Sequence, residues 1–185
     1  MKKLNKLVIL FCLALTVFNC SSDDDNNNQE PQSTNVITLN NETYVVNTVI
    51  VEPSVGGNTF ISLINKSEAE VFDAIDNGTQ LNNINVFNMR INQSSLGEQT
   101  YSFSDISNFE FSVNAQIING ELENGDILLD RNNIDANLNA STGSFTLDLY
   151  AVDEIELSFQ FTRNDGKIIN GSYKGSYISM DNTDG

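Results

Sequence analysis

The chain has 185 residues, a length that suits a single domain, and a net charge of −16 at neutral pH. Its 25 acidic residues outnumber 9 basic ones, and this charge repels nucleic acid and anionic phospholipid, so both are poor candidates as partners. The absence of histidine removes the commonest metal ligand and general base, and the absence of tryptophan removes a favoured stacking platform for sugars.

Residues 1–19 have the order of a signal peptide, with lysines followed by an apolar run from Leu7 to Phe18. This run is shorter than the roughly 20 residues needed to span a bilayer. Cys20 follows directly after Asn19, so the sequence predicts a lipoprotein signal that is cleaved before Cys20, with lipid attached to the cysteine. An ordinary secretory peptide with an incidental cysteine is the alternative interpretation.

Residues 20–34 are polar and predict a disordered tether between the anchor and a folded domain. The tether opens with a short run of serines and aspartates. Its members are Ser21, Ser22, Asp23, Asp24 and Asp25.

The segment Cys20–Asp25 resembles the start of surface-exposed lipoproteins of the Bacteroidota, in which an acidic stretch beside the lipidated cysteine directs transfer to the outer leaflet. The resemblance implies a protein of the outer membrane that is lipid-anchored and exposed at the cell surface. Its partners would then be the membrane, through the acyl anchor on Cys20, and the lipoprotein processing and export machinery. A periplasm-facing anchor with a merely solvated tether is the alternative.

Residues 36–180 alternate apolar and polar side chains over most of their length, which predicts a single β domain followed by a polar tail at 181–185. Cys12 leaves with the signal and Cys20 carries lipid, so the domain has no disulfide and depends on its core. The predicted strands are 36–39, 43–51, 58–64, 84–91, 100–103, 109–118, 127–129 and 134–138. Within 109–118, alternation places on one face Phe109, Phe111, Val113, Ala115 and Ile117.

One short helix is predicted within this β pattern, at about residues 67–76. Ser67 and Glu70 have the spacing of a capping box, in which each side chain bonds the other residue's backbone amide. Asn77-Gly78 is a typical helix end. The predicted apolar stripe consists of Val71, Phe72 and Ile75. We expect the helix to pack as a lid on a sheet or barrel end, with a partner-binding helix as the alternative.

The clearest structural signal is the alternation of residues 155–163, followed by Asn164–Gly166 and a second strand. A two-residue turn would pair Phe161 with Asn170 and set apolar against polar side chains. A three-residue loop with Gly166 in the left-handed conformation keeps the apolar residues on one face, so we predict that register. The predicted pairs are Phe161 with Ile169, Phe159 with Gly171, Leu157 with Tyr173, Ile155 with Gly175, and Glu156 with Lys174.

A third strand is expected to pair back onto this hairpin and form a meander. Its predicted pairs are Phe145 with Phe159, Leu147 with Leu157, and Leu149 with Ile155.

Gly171 and Gly175 would leave gaps beside bulky residues of the neighbouring strand, and aromatic rings can fill such gaps. The alternative is that these glycines open a groove flanked by Tyr173 and Tyr177. These two tyrosines are therefore the candidate ligand-binding residues.

The segments Ser141–Thr146 and Asp165–Tyr177, the second reading Asp-Gly-Lys-Ile-Ile-Asn-Gly-Ser-Tyr-Lys-Gly-Ser-Tyr, are similar to the end of small Bacteroidota lipoproteins. The resemblance implies an all-β fold, either an antiparallel β-sandwich or a flattened lipocalin-like barrel. Those families bring no agreed activity.

No catalytic or metal-binding motif is predicted. A glycosidase would need two carboxylates in a cleft, with the pKa of one raised, and the sequence indicates neither. Asp130–Asp135 offers oxygen ligands for calcium, but without the spacing of a calcium-binding loop, so an Asn-rich turn is the better interpretation. We expect no enzyme activity, no metal and no cofactor.

Three functions remain, in order of expectation. The first is a surface protein that binds a small ligand or glycan, and the second is a structural or adhesive envelope protein without a pocket. A glycan-active enzyme is third. A hollow interior lined by Tyr and Phe would favour the first, whereas a filled core with an exposed apolar edge would favour the second.

Overall fold

The structure is a computed structural model that describes residues 34–54, 56–123 and 125–180. These residues form two β-sheets packed face to face, with a short helix on one of them. The sheets do not close into a barrel. Of the two predicted architectures, the β-sandwich is therefore confirmed and the lipocalin-like barrel is not.

The helix α1 (Glu68–Asp76) follows β4, and a 3₁₀ turn (Ala136–Leu138) precedes β10. The strands in chain order are β1 (Val36–Leu39), β2 (Glu42–Val45), β3 (Thr48–Ser54), β4 (Asn58–Ile64), β5 (Leu81–Ile91), β6 (Thr100–Ser102), β7 (Ile106–Ile118), β8 (Glu121–Glu123), β9 (Asp126–Asp130), β10 (Ala140–Tyr150), β11 (Ile155–Arg163), β12 (Ile168–Gly175) and β13 (Ile178–Ser179).

Sheet A has the strand order β2-β1-β12-β11-β10-β6, and its pairs are antiparallel. Sheet B has the order β13-β3-β4-β5-β7-β8, with β9 also paired to β7. In sheet B, β13 runs parallel to β3. The amino-terminal strand thus belongs to sheet A, and α1 connects two neighbouring strands of sheet B.

The core lies between the sheets and is filled by apolar side chains from both. Phe87 of sheet B stacks on Phe159 of sheet A, with ring centroids 4.3 Å apart. Phe109 of sheet B lies 4.4 Å from Phe161 of sheet A. Because rings from facing sheets contact each other directly, the interior is packed where they meet.

The hairpin of β11 and β12 has the predicted three-residue loop, with φ of 82° at Gly166. The amide of Arg163 donates to the carbonyl of Lys167 at 2.8 Å and closes the loop. The pairs are those predicted: Phe161 with Ile169, Phe159 with Gly171, Leu157 with Tyr173, Ile155 with Gly175, and Glu156 with Lys174.

β10 pairs with β11 as predicted over residues 145–147. The predicted pair of Leu149 with Ile155 is wrong. A bulge follows Leu147 and moves the pairing by one residue, so Tyr150 lies opposite Ile155.

The predicted strand 43–51 is in fact two strands in different sheets, divided at Val46 and Asn47. Val46 donates its amide to the carbonyl of Asn35, beside β1, at 2.8 Å. Asn47 donates its amide to the carbonyl of Ile64, in β4, also at 2.8 Å. Apolar residues occur on both sides of the division, at Tyr44 and Val45 and again from Val49 to Val51, so the sequence does not reveal where the chain crosses between sheets.

The predicted apolar face of β7 is correct only as far as Val113, which faces the main core. Ala115 and Ile117 instead belong to a second apolar cluster beneath α1. Asn114 has φ of 56°, and the β5–β7 register shifts here as in a β-bulge. The extra residue reverses the alternation, so β7 supplies apolar side chains to both faces of sheet B.

The predicted strand 134–138 is wrong, because this segment is a loop and the 3₁₀ turn. Asp135 caps the turn by accepting a hydrogen bond from the amide of Asn137 at 3.0 Å. Ile134 is fully exposed. Short Asn and Asp side chains bond the local backbone and compete successfully with strand pairing.

The helix begins with the predicted capping box. The Ser67 hydroxyl accepts from the Glu70 amide at 3.4 Å, and the Ser67 amide donates to Glu70 Oε2 at 2.9 Å. Gly78, just after the C-cap residue Asn77, has φ of 67°. Both predicted ends are therefore confirmed.

The predicted stripe of α1 is wrong at Ile75, which is 45% exposed, while Ala74 is buried in its place. Val71 and Ala74 pack on the outer face of sheet B, so the helix is a lid on that sheet. In the part of the chain that the structure describes, no helix is long and apolar enough to cross a membrane.

Candidate functional site

The two candidate ligand tyrosines make contacts within the domain. Tyr173 is 5% exposed in the core, and its hydroxyl donates to the carbonyl of Ser176 at 2.6 Å. Burial raises the pKa of Tyr173 above its ordinary value, although this hydrogen bond acts against that shift. Tyr177 packs 5.3 Å from the ring of Tyr150 and donates to the carbonyl of Ala151 at 3.0 Å. Both hydroxyls are thus already bonded within the chain.

Gly171 and Gly175, which flank Tyr173 in β12, are covered by aromatic side chains. A Cβ at Gly171 would lie 2.1 Å from Cζ of Phe159, and one at Gly175 would lie 3.1 Å from the Tyr173 hydroxyl oxygen. The gap-filling interpretation is therefore confirmed, and these glycines do not open a groove.

Tyr177 does line a shallow groove of about 330 Å³ beside the start of α1, to which Tyr173 does not contribute. The hydroxyls of Thr48 and Ser67 in this groove are already used. Thr48 donates to the carbonyl of Lys66 at 2.7 Å, and the Ser67 hydroxyl belongs to the capping box. This groove offers few free groups to a ligand.

A second groove, of about 320 Å³, lies on the outer face of sheet B beyond the helix. We call it the outer-face groove. Its floor is the backbone at Ile61, Met89 and Phe109, whose side chains enter the core. Its side chains include Phe60, Ser62, Asn88, Arg90, Asn108 and Glu110.

The register of sheet B brings these six side chains together from three strands. Phe60 of β4 lies opposite Arg90 of β5, which lies opposite Asn108 of β7. One step along the same face, a parallel row consists of Ser62, Asn88 and Glu110. Because alternate residues of a strand point to the same face, the two rows form one surface.

Arg90 is the cation of the outer-face groove. Its guanidinium carbon lies 5.6 Å from the centre of the Phe60 ring, which is 39% exposed. The Nε atom is buried and makes no hydrogen bond. Among the described residues, no carboxylate comes within ion-pairing distance of Arg90, although the chain is strongly acidic.

The neighbouring polar groups are oriented by hydrogen bonds along the face. Ser62 donates to Oδ1 of Asn88 at 2.8 Å, which leaves the amide NH₂ of Asn88 as a donor. Ser112 donates to Oε1 of Glu110, which leaves Oε2 as an acceptor. The groove therefore presents an aromatic ring, a guanidinium, and amide and carboxylate groups on one rigid sheet.

Sequence reasoning missed this groove because its residues lie far apart in the chain and at ordinary solvent-facing positions. One signal was available: Phe60 occupies a polar-face position between Thr59 and Ile61, which are both buried. An exposed aromatic ring at such a position is a candidate contact residue.

The structure shows no site at the other residues that the sequence singled out. Cys20 and the run Ser21–Asp25 lie outside the described residues, as does the tail 181–185. The loop from Asp130 is an Asn-rich turn in which Asp130 accepts from the amide of Asn132 at 2.9 Å. Within the described ranges, no group of three or more acidic or cysteine side chains is placed to hold a metal ion.

A scan against protein-family models and searches of curated proteins and of solved structures find no match to this chain.

Proposed function

We propose that this chain is a lipid-anchored protein of the outer-membrane surface that binds a glycan in its outer-face groove. The anchor is the acyl group predicted on Cys20, and the aspartates at 23–25 direct the domain to the outside. Display on a lipid anchor suits a domain that captures molecules rather than transforming them.

The observation that carries the binding role is the partly exposed Phe60 ring set among polar side chains. A sugar ring has an apolar face of C–H groups and a rim of hydroxyls. Phe60 would support the apolar face, while Asn88, Asn108 and Glu110 would bond the hydroxyls. The volume of the groove lies at the lower end of the range of ligand sites, which begins near 300 Å³.

The packed interior supports a surface site over an interior one. Aromatic rings from both sheets meet at 4.3 Å and 4.4 Å, in the position where a lipocalin-like protein would hold its ligand. A ligand of this domain would therefore bind outside the core.

A second candidate function is a structural or adhesive role without a ligand. It is favoured by the filled core together with exposed apolar residues, of which Val45, 54% exposed, lies on the edge strand β2. An edge strand can pair with a strand of another chain.

The test is a glycan microarray probed with the full-length protein in detergent, followed by calorimetry with the glycans retained. We expect binding that Phe60→Ala abolishes and that Val152→Ala leaves unchanged, since Val152 is an exposed apolar residue in the loop between β10 and β11. Absence of glycan binding, with self-association that a charge at Val45 disrupts, would favour the adhesive role instead.

A further inference from the structure

On the premise that the outer-face groove binds a glycan, we propose that its preferred ligand is a sugar that carries a carboxylate, such as a uronic acid. Arg90 is the residue that selects it.

The first argument is that Arg90 has no ion-pair partner among the described residues. Two other cations of the chain form ion pairs with nearby carboxylates. Arg163 pairs with Asp165 at 2.7 Å, and Lys174 pairs with Glu156 at 2.6 Å. Arg90 lies in the same acidic chain, with Glu110 diagonally across the sheet, yet it forms no such pair with any described residue. Its charge is therefore left for a group that comes from outside.

The second argument is geometric. The guanidinium is a planar fork whose Nε–H and Nη–H donors match the two oxygens of a carboxylate. In Arg90 the Nε donor is shielded from solvent and has no partner. Because the Nε atom is shielded, a carboxylate that arrives from solvent would bond the two Nη groups at the end of the fork. A neutral hydroxyl would bond only one donor.

The third argument limits the number of charges on the ligand. Glu52 and Glu110 also line the groove, and the chain carries a net charge of −16. A densely charged polyanion would be repelled by this surface. One carboxylate on an otherwise hydroxylated sugar meets Arg90 while its hydroxyls meet the acceptor side chains.

The experiment compares each acid with its own methyl ester, which keeps the sugar and removes the charge. Methyl glycosides of galacturonate, glucuronate and mannuronate, each with one carboxylate, and their methyl esters are titrated into the full-length protein at physiological salt. For at least one of them we expect the acid to bind about tenfold more tightly than its ester, because charge-assisted hydrogen bonds replace neutral ones.

Three variants assign the preference to the groove. Arg90→Gln should bind acid and ester with equal affinity. Glu110→Gln should bind the acid more tightly than the native protein, a gain that a folding defect cannot produce. Lys174→Gln changes the net charge as Arg90→Gln does, but on sheet A, and should keep the native preference.

The outcomes separate this inference from the proposed function. Equal binding of acid and ester by the native protein, or a preference that survives Arg90→Gln, would overturn the selection by Arg90 and leave glycan binding intact. If neither acids, esters nor the neutral glycans of the microarray bind, both proposals fail together.

Discussion

At the scale of single residues, Arg163 links the two sheets by hydrogen bonds. It is 6% exposed at the end of β11 in sheet A. Its Nη1 donates to the carbonyl of Leu128 in β9 of sheet B at 2.6 Å, and its Nε donates to the carbonyl of Asn137 at 3.2 Å. Asp165 in the hairpin loop balances its charge.

We expect Arg163→Met to cost about 3 kcal/mol of unfolding free energy, because it leaves Asp165 without its buried partner and two carbonyls without a donor. The exposed pair of Lys174 and Glu156 provides the control, and Lys174→Met should cost less than about 1 kcal/mol. Urea denaturation measures both. Equal costs for the two variants would contradict the role assigned to Arg163.

At the scale of elements, the β11–β12 hairpin depends on one backbone conformation. Gly166 has φ of 82°, and a Cβ there would meet no atom within 4 Å, so any cost of substitution is backbone strain alone. We expect Gly166→Val to destabilise the domain by roughly 1–2 kcal/mol.

Gly97 is the matched control for that substitution, since its φ is not positive and its Cβ position is also open. Gly97→Val should change the unfolding free energy by less than about 0.5 kcal/mol, measured in the same denaturation experiment. A Gly166→Val protein as stable as the Gly97→Val protein would exclude strain as the determinant of the loop.

The helix lid depends on its capping box. Ser67→Ala removes the acceptor of the Glu70 amide and should cost about 1 kcal/mol, measured by thermal unfolding. Ser179→Ala, at an exposed serine of β13 whose side chain bonds no described residue, should be neutral. A similar loss in both variants would mean that the cap does not stabilise α1.

Two strand regions show what could and could not be predicted from the sequence. The β11–β12 register was predictable because only one pairing places the apolar residues of both strands on the same face. The reversal of β7 was not, because it depends on Asn114 adopting a left-handed conformation that an Asn does not require. The order of apolar and polar residues predicts which face of a sheet each side chain lies on only while the strand alternates regularly.

The candidate site was less predictable than the fold for a related reason. Phe60, Arg90 and Asn108 are neighbours only because β4, β5 and β7 are adjacent in one particular register. Each residue alone occupies an ordinary solvent-facing position. Tyr173 and Tyr177 stood out in the sequence, but one fills the core and the other packs on Tyr150.

At the scale of the whole molecule, the proposed function requires the domain to stand outside the cell on its lipid anchor. Mass spectrometry of the mature protein should show a lipid-modified Cys20 at its amino terminus. A free Ser21 or an intact Met1 there would exclude the anchor. Cys20→Ser should release or mislocalise the protein without changing the thermal stability of the β domain, which is formed by residues well beyond the cysteine.

Export is tested separately by protease added to intact cells, with blotting for the domain. The native protein should be digested, whereas a variant with Asp23, Asp24 and Asp25 replaced by Ala should be protected, because it keeps its anchor but lacks the acidic run. A variant with Ala at the exposed acidic residues Glu121 and Glu123 of β8 is the control and should be digested like the native protein. Digestion of the triple variant at the native rate would exclude the aspartates as the export signal while leaving the anchor on Cys20 in place.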